Sequence, residues 1–212
     1  MQTLSREAAQ KEAARCLDCD RMCSICTSVC PNRAILTYET DSFAAPCPLL
    51  KKEGAKAVPS GVKEFTATQP YQIAILTDFC NECGNCATFC PTDGKPYADK
   101  PRLYLQRKEF LEQEDNAFMA YHESGTWAMQ GRFAGATHSI ILNEELLYLS
   151  PEIKASLDPC SFRVKESSWT PQAKEGTIIS LEPCAILLRL LTGVRESLPY
   201  LPTARSEEAA LF

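Results

Sequence analysis

Apolar positions along this chain fall into short runs instead of long stripes. "AILTY" (Ala34 to Tyr38) and "YQIAILTDF" (Tyr71 to Phe79) are brief apolar, β-branched segments, and both predict strands. "RLYLQ" (Arg102 to Gln106) predicts a third. Ahead of them, "SREAAQKEAAR" from Ser5 to Arg15 is rich in Ala, Glu, Lys and Arg and predicts a short helix. Beyond Phe110 the texture changes to short strands and turns, as in "NAFMAYHESGTWAMQGRFAGATHSIIL", which predicts a small α/β or mostly β unit. A last helix is predicted from about Glu182 to Ser197, with Pro183 in its first turn, where a missing N–H leaves no bond unmade.

Cysteines interrupt this pattern twice. "CLDCDRMCSICTSVCP" (Cys16 to Pro31) holds five, and "CNECGNCATFCP" (Cys80 to Pro91) holds four. The order strand, cysteine turn, Cys-Pro, strand occurs in both halves, with a helix replacing the opening strand of the first, so the chain contains an internal repeat. Between the copies, the Pro-, Gly- and Lys-bearing stretch at about residues 38–70 has no clear period and reads as a long inserted loop. The expected fold class is α+β. Residues 1–105 form a bacterial ferredoxin-like domain with a pseudo-twofold repeat, and residues 106–212 form a small mixed α/β unit that docks a partner or caps a cluster.

Composition narrows the use of the thiols. At 212 residues and 45% hydrophobic content the chain can bury one good core or two small ones. A net charge of −5 offers no basic footprint, so nucleic acid is not an expected partner. The N-terminus lacks a signal-peptide pattern, and "CAILLRLLTGV" is broken by Arg189 and falls short of the roughly 20 residues that span a bilayer. A cytoplasmic location away from membranes is expected. Twelve cysteines in a reducing compartment then point to metal binding instead of disulfides, and ten of them precede Pro91.

The spacing names the metal group. Cys80, Cys83, Cys86 and Cys90 follow C-x2-C-x2-C-x3-C-P, in which three thiolates serve one [4Fe–4S] cubane and the fourth, before proline, serves its neighbour. Gly84 lets backbone N–H groups approach the sulfurs. Cys23, Cys26 and Cys30-Pro31 repeat the ending, but the opening ligand falls on Asp20, and a one-residue bulge would let Cys19 serve in its place. Cluster I then takes Cys19, Cys23, Cys26 and, by crossover, Cys90. Cluster II takes Cys80, Cys83, Cys86 and Cys30. Cys16 is the spare thiol, or replaces Cys19 or Cys23.

Two other uses of the cysteines fit the sequence less well. A zinc module separates its C-x2-C pairs by a longer loop than this. A radical S-adenosylmethionine enzyme using Cys19, Cys23 and Cys26 needs a large α/β barrel, for which the rest of the chain has no room. Cys47, Cys160 and Cys184 are isolated and read as structural. His122 and His138 are not at metal spacing, and Trp127 and Trp169 read as packing. Lys51, Lys52, Lys56 and Lys63 form a loose basic stretch, either a solvated face or a dock for an acidic partner.

"EAARCLDCDRMCSICTSVCPNRA" and "DFCNECGNCATFCPTDGKPYADK" resemble the C-terminal iron–sulfur, ferredoxin-type region of YgfK-like selenate reductase subunits, relatives of the glutamate synthase small subunit. The resemblance covers about the first 105 residues. It implies a two-cluster module exchanging electrons with a flavoprotein, in a molybdenum hydroxylase setting. No G-x-G-x-x-G occurs, so no dinucleotide-binding fold is encoded, and a stand-alone electron-transfer subunit or a fragment is expected. Its partners would be a flavin-containing oxidoreductase subunit and a downstream redox partner. No catalytic residue of its own is expected.

Overall fold

Strand β4 (Tyr71–Leu76) is buried on both faces from Ile73 onward, and this divides the molecule into two apolar regions. Ile73 and Ile75 face one way, where they pack with Ile35, Cys26 and Cys86. Ala74 and Leu76 face the other way, into the main core. The period-2 alternation of a strand makes this division automatic once both sides are covered. The computed structural model describes residues 5–8, 23–40, 42–123, 125–201 and 203. Of the helix expected from Ser5 to Arg15, residues 6–8 are helical and Ser5 Oγ accepts the Ala8 N–H at 3.2 Å as an N-cap; the rest of it lies outside the described residues.

The architecture is mixed α/β, mostly strand, with few helices. Strand β1 (Ile35–Glu39) pairs antiparallel with β4, Ile35 opposite Ile75. β4 then runs parallel to the two-residue β5 (Arg102–Leu103), which runs parallel to β6 (Ala117–Glu123). From β6 an antiparallel meander continues through β7 (Thr126–Phe133), β8 (Ala136–Leu142), β9 (Leu146–Leu149), β10 (Ile153–Leu157) and β11 (Val164–Trp169). These strands form one nine-stranded sheet in the order β1-β4-β5-β6-β7-β8-β9-β10-β11. The expected boundary at 105/106 is therefore crossed by a continuous sheet. The main core is also shared, with Tyr38, Cys47, Leu76 and Leu103 beside Phe118, Met129, Ile140 and Leu187.

The segment expected as a long loop is instead a β-hairpin, β2 (Phe43–Glu53) with β3 (Lys56–Ala67), paired from Phe43–Ala67 to Glu53–Lys56 around Gly54, whose φ of +60° suits glycine. Its prolines hid it. Pro46 and Pro48 lie beyond the end of the ladder with β12 (Ile178–Ser180), which pairs Leu49 to Lys51, so no N–H is needed from them there, and Pro59 lies at the register shift opposite Leu49 and Leu50. Edges and bulges are where a strand tolerates the missing N–H. "RLYLQ" is strand only at Arg102 and Leu103, although Tyr104 N–H still bonds Phe118 O at 2.8 Å.

After the short helices α3 (Pro96–Asp99) and α4 (Arg107–Leu111), the C-terminal helix α5 covers Glu182–Ser197 as its pattern predicts, with Pro183 in the first turn. Cys184, Ala185, Leu187, Leu188, Leu190, Leu191 and Val194 are buried along it, packed on β1, β2, β7 and β8. Its far end is tied to β1, where Glu39 N–H donates to Ser197 Oγ at 2.9 Å. No helix among the described residues is long and apolar enough to cross a membrane.

Candidate functional site

On the opposite face of β1 and β4 from α5 sit the two cysteine turns. Each contains one short helix: α1 (Ile25–Val29) in the first and α2 (Asn85–Thr88) in the second, packed on one another. The turns are built alike at an offset of sixty residues. Thr27 N–H bonds Ser24 O as Ala87 N–H bonds Gly84 O, and Arg33 N–H bonds Cys30 O as Asp93 N–H bonds Cys90 O. Arg33 and Asp93 both take φ of 53°. Ala34 N–H donates to Cys30 Sγ at 3.3 Å, and Gly94 N–H donates to Cys90 Sγ at the same distance.

This folding brings thiols from distant segments together. Cys30, from the first turn, lines one narrow cavity with Cys80, Cys83 and Cys86 of the second, closed by Ile35, Glu82, Gly84 and Tyr97. Cys90, from the second turn, lines another cavity of about 210 Å³ with Cys23 and Cys26 of the first, beside Gln69, Gln72, Ile73, Thr92 and Lys100. Cys19 and Cys16 lie outside the described residues. The first cavity thus presents four thiols, the second three. Among the described residues no three His, Cys, Asp or Glu side chains close on a single ion position; the thiols stand around cavity walls instead.

Burial and local donors set the thiol chemistry. Cys26 and Cys86, 8% and 7% exposed, form the shared centre, and Cys26 is pushed up by burial while the Thr27 N–H pulls it down. Cys80 is also pushed up by burial, opposed by the Glu82 N–H and reinforced by the neighbouring Cys30 and Cys86. Cys90 is pulled down, first by the Thr92 hydroxyl and backbone N–H. Gly84 takes φ of +79° at the start of α2, with open space where a side chain would be, so it serves the turn's conformation. The Ala34 and Gly94 amides, four residues beyond each Cys-Pro cysteine, also reach sulfur.

Part of the chain matches known proteins. A 109-residue stretch, 51% of the chain, is 38% identical to YgfK of Escherichia coli K12, named as a candidate oxidoreductase, and equally to its counterpart in strain O157:H7. A 76-residue stretch, 34% of the chain, is 37% identical to the pyruvate-flavodoxin oxidoreductase of Klebsiella pneumoniae. The matched stretch is an oxidoreductase-related region. It spans 8% of the length of YgfK and 6% of that of the Klebsiella enzyme. No protein-family profile and no solved structure matches it.

The remaining chemical groups take structural places. Cys47 and Cys184 are fully buried in the main core, and burial pushes both thiols up, Cys47 to about 11. Cys160 is exposed in a turn after β10. His122 stacks on Trp127 with ring centroids 4.3 Å apart, and His138 Nδ1 shares a 2.5 Å hydrogen bond with Tyr148 Oη. Trp169 Nε1 donates to Lys56 O. The basic stretch is not bare: Lys63 pairs with Glu182 at 2.6 Å, Lys51 with Glu53 at 2.9 Å, and Lys52 donates to Ala173 O. A larger open cleft of about 520 Å³, lined by Glu39, Thr40, Tyr71, Glu196 and Ser197 among others, contains no thiol or imidazole. Sequence reasoning missed Thr92, Glu82, Tyr97 and Lys100 as cavity residues; the repeat itself could have pointed to Thr92, which stands where the first half has Asn32.

Proposed function

We propose that this chain is an electron-transfer iron–sulfur protein, holding two [4Fe–4S] clusters and relaying single electrons between a flavoprotein and a partner oxidoreductase. One observation supports the reading above the others: Cys30 sits in the cavity of the second turn, and Cys90 in that of the first. That crossing is what a C-x2-C-x3-C-P repeat requires when each proline-linked cysteine serves its neighbour's cluster. The four thiols of the Cys80 cavity match the ligand count of a cubane. In the other cavity Cys23, Cys26 and Cys90 supply three ligands, and Cys19 is proposed as the fourth. When bound, such a group accepts and releases one electron without a proton being moved by the protein.

The residues of the chain hold and insulate the group. Ile35, Ile73 and Ile75 form an apolar floor beneath both turns, which excludes water and lowers the local dielectric. Ala34 and Gly94 N–H groups donate to sulfur and offset the negative charge of thiolates. The α1–α2 contact and the Ile35–Ile75 pairing fix the separation of the two sets, since each turn contributes to both. The similarity to YgfK and to pyruvate-flavodoxin oxidoreductase supports a redox setting and a flavin-bearing partner. The test is anaerobic titration with photoreduced free flavin: bleaching of the visible band by about two electrons per chain is expected for two one-electron sites. Absence of bleaching overturns the proposal.

A further inference from the structure

We infer that the two thiol sets differ in redox potential, with Thr92 holding the set of Cys23, Cys26 and Cys90 at the higher value. This rests on the function proposed above. Its observation is a break in an otherwise matched pair of turns. Each Cys-Pro cysteine accepts the backbone N–H of the residue four positions on, at 3.3 Å in both copies. Cys90 Sγ has a second partner, Thr92 Oγ1, also at 3.3 Å. Asn32 occupies the corresponding place beside Cys30 and brings no hydroxyl. A thiolate can only accept, so the Thr92 hydroxyl donates.

The sign follows from charge. Reduction adds one electron and no proton, which increases the negative charge carried by the ligand sulfurs. A donor aimed at one of those sulfurs stabilises the more negative state and raises the potential. The charged residues on the two cavity walls act in the same direction: Lys100 lines the cavity with Cys90, whereas Glu82 lines the one with Cys80. Arg33 and Asp93, of the opposite sense, are exposed at the apices of the turns, outside both cavity walls, where water and salt screen them. Thr92 is thus a positioning residue that acts through Cys90.

The experiment is an anaerobic redox titration of the iron-loaded full chain with dithionite as electron donor, followed by electron paramagnetic resonance, on the wild type, Thr92→Val and Asn32→Thr. The wild type is expected to reduce in two separate one-electron steps. Thr92→Val lowers the upper step alone, so that the reduced-to-oxidised ratio at the wild-type midpoint falls by up to about tenfold, which is ~59 mV for one electron. Asn32→Thr raises the lower step by supplying the missing hydroxyl. Coincident steps in the wild type overturn the inference, as does a Thr92→Val protein with full iron content whose upper step is unmoved. A chain that binds no iron fails earlier, at the proposed function itself, and the two failures are distinguished by the iron content measured before titration.

Discussion

Replacing Gly193 with alanine tests how the C-terminal helix is seated behind the first cysteine turn. A Cβ at this position would lie 2.5 Å from Cδ2 and 2.7 Å from Cε2 of Tyr38, and 3.3 Å from the Glu39 carbonyl oxygen. Tyr38 is 6% exposed on β1 and packs in the main core, so its ring cannot swing into solvent without loss of burial. Two effects compete. Alanine in a helix interior gains about 1 kcal/mol over glycine, whereas overpacking a closed site costs about 1–3 kcal/mol. The carbon–carbon approach is well inside van der Waals contact, which places this site at the upper end of that range. The net expectation for Gly193→Ala is a loss of about 1–2 kcal/mol, equivalent to a fall of about 2–8 °C in Tm for a chain of this size. Thermal unfolding followed by tryptophan fluorescence reads it. In a Tyr38→Leu background the clash is gone, and the same substitution becomes neutral or stabilising by up to about 1 kcal/mol. An alanine variant as stable as wild type, with Tyr38 present, refutes the packing argument.

Two further outcomes are expected. Cys30→Ser and Cys80→Ser each lose about four irons per chain, and the double variant loses the same four, because both thiols line one cavity; loss of about eight from the double variant contradicts the crossed assignment. Burial of His138 pulls its imidazole down, with Glu152 opposing. The unfolded chain therefore takes up a proton near pH 6.5 before the folded one does, so the contribution of neutral His138 to stability is complete above that pH and is lost as pH falls below it. Tm measured between pH 7.5 and 5.5 should fall less steeply in His138→Gln than in wild type, and parallel slopes would remove His138 from the account.

Local signals in the sequence were sufficient wherever an element is set by its own residues. The apolar face of Glu182 to Ser197 and the proline in its first turn define α5 to the residue. Ala34 to Tyr38 and Tyr71 to Phe79 carry β-branched residues between turns and give β1 and β4 within a residue or a few. The C-x2-C-x3-C-P spacing also leads to the expectation that Cys30 and Cys90 serve opposite sets, and each lines the cavity of the other turn. The hairpin of β2 and β3 was not legible. Pro46, Pro48 and Pro59 are strand-breaking in isolation and are tolerated only because of an open edge and a bulge that arise from pairing. Nor was the continuity of the sheet past residue 105, which depends on two residues, Arg102 and Leu103, finding Ala117 and Phe118. Pairing partners are long-range facts, and strand composition says little about them.

Whether the crossed thiol sets hold two cubanes is tested most directly by iron and acid-labile sulfide, measured on anaerobically prepared full chain. About eight of each per chain is the predicted result. Zinc in place of iron, with no labile sulfide, contradicts it.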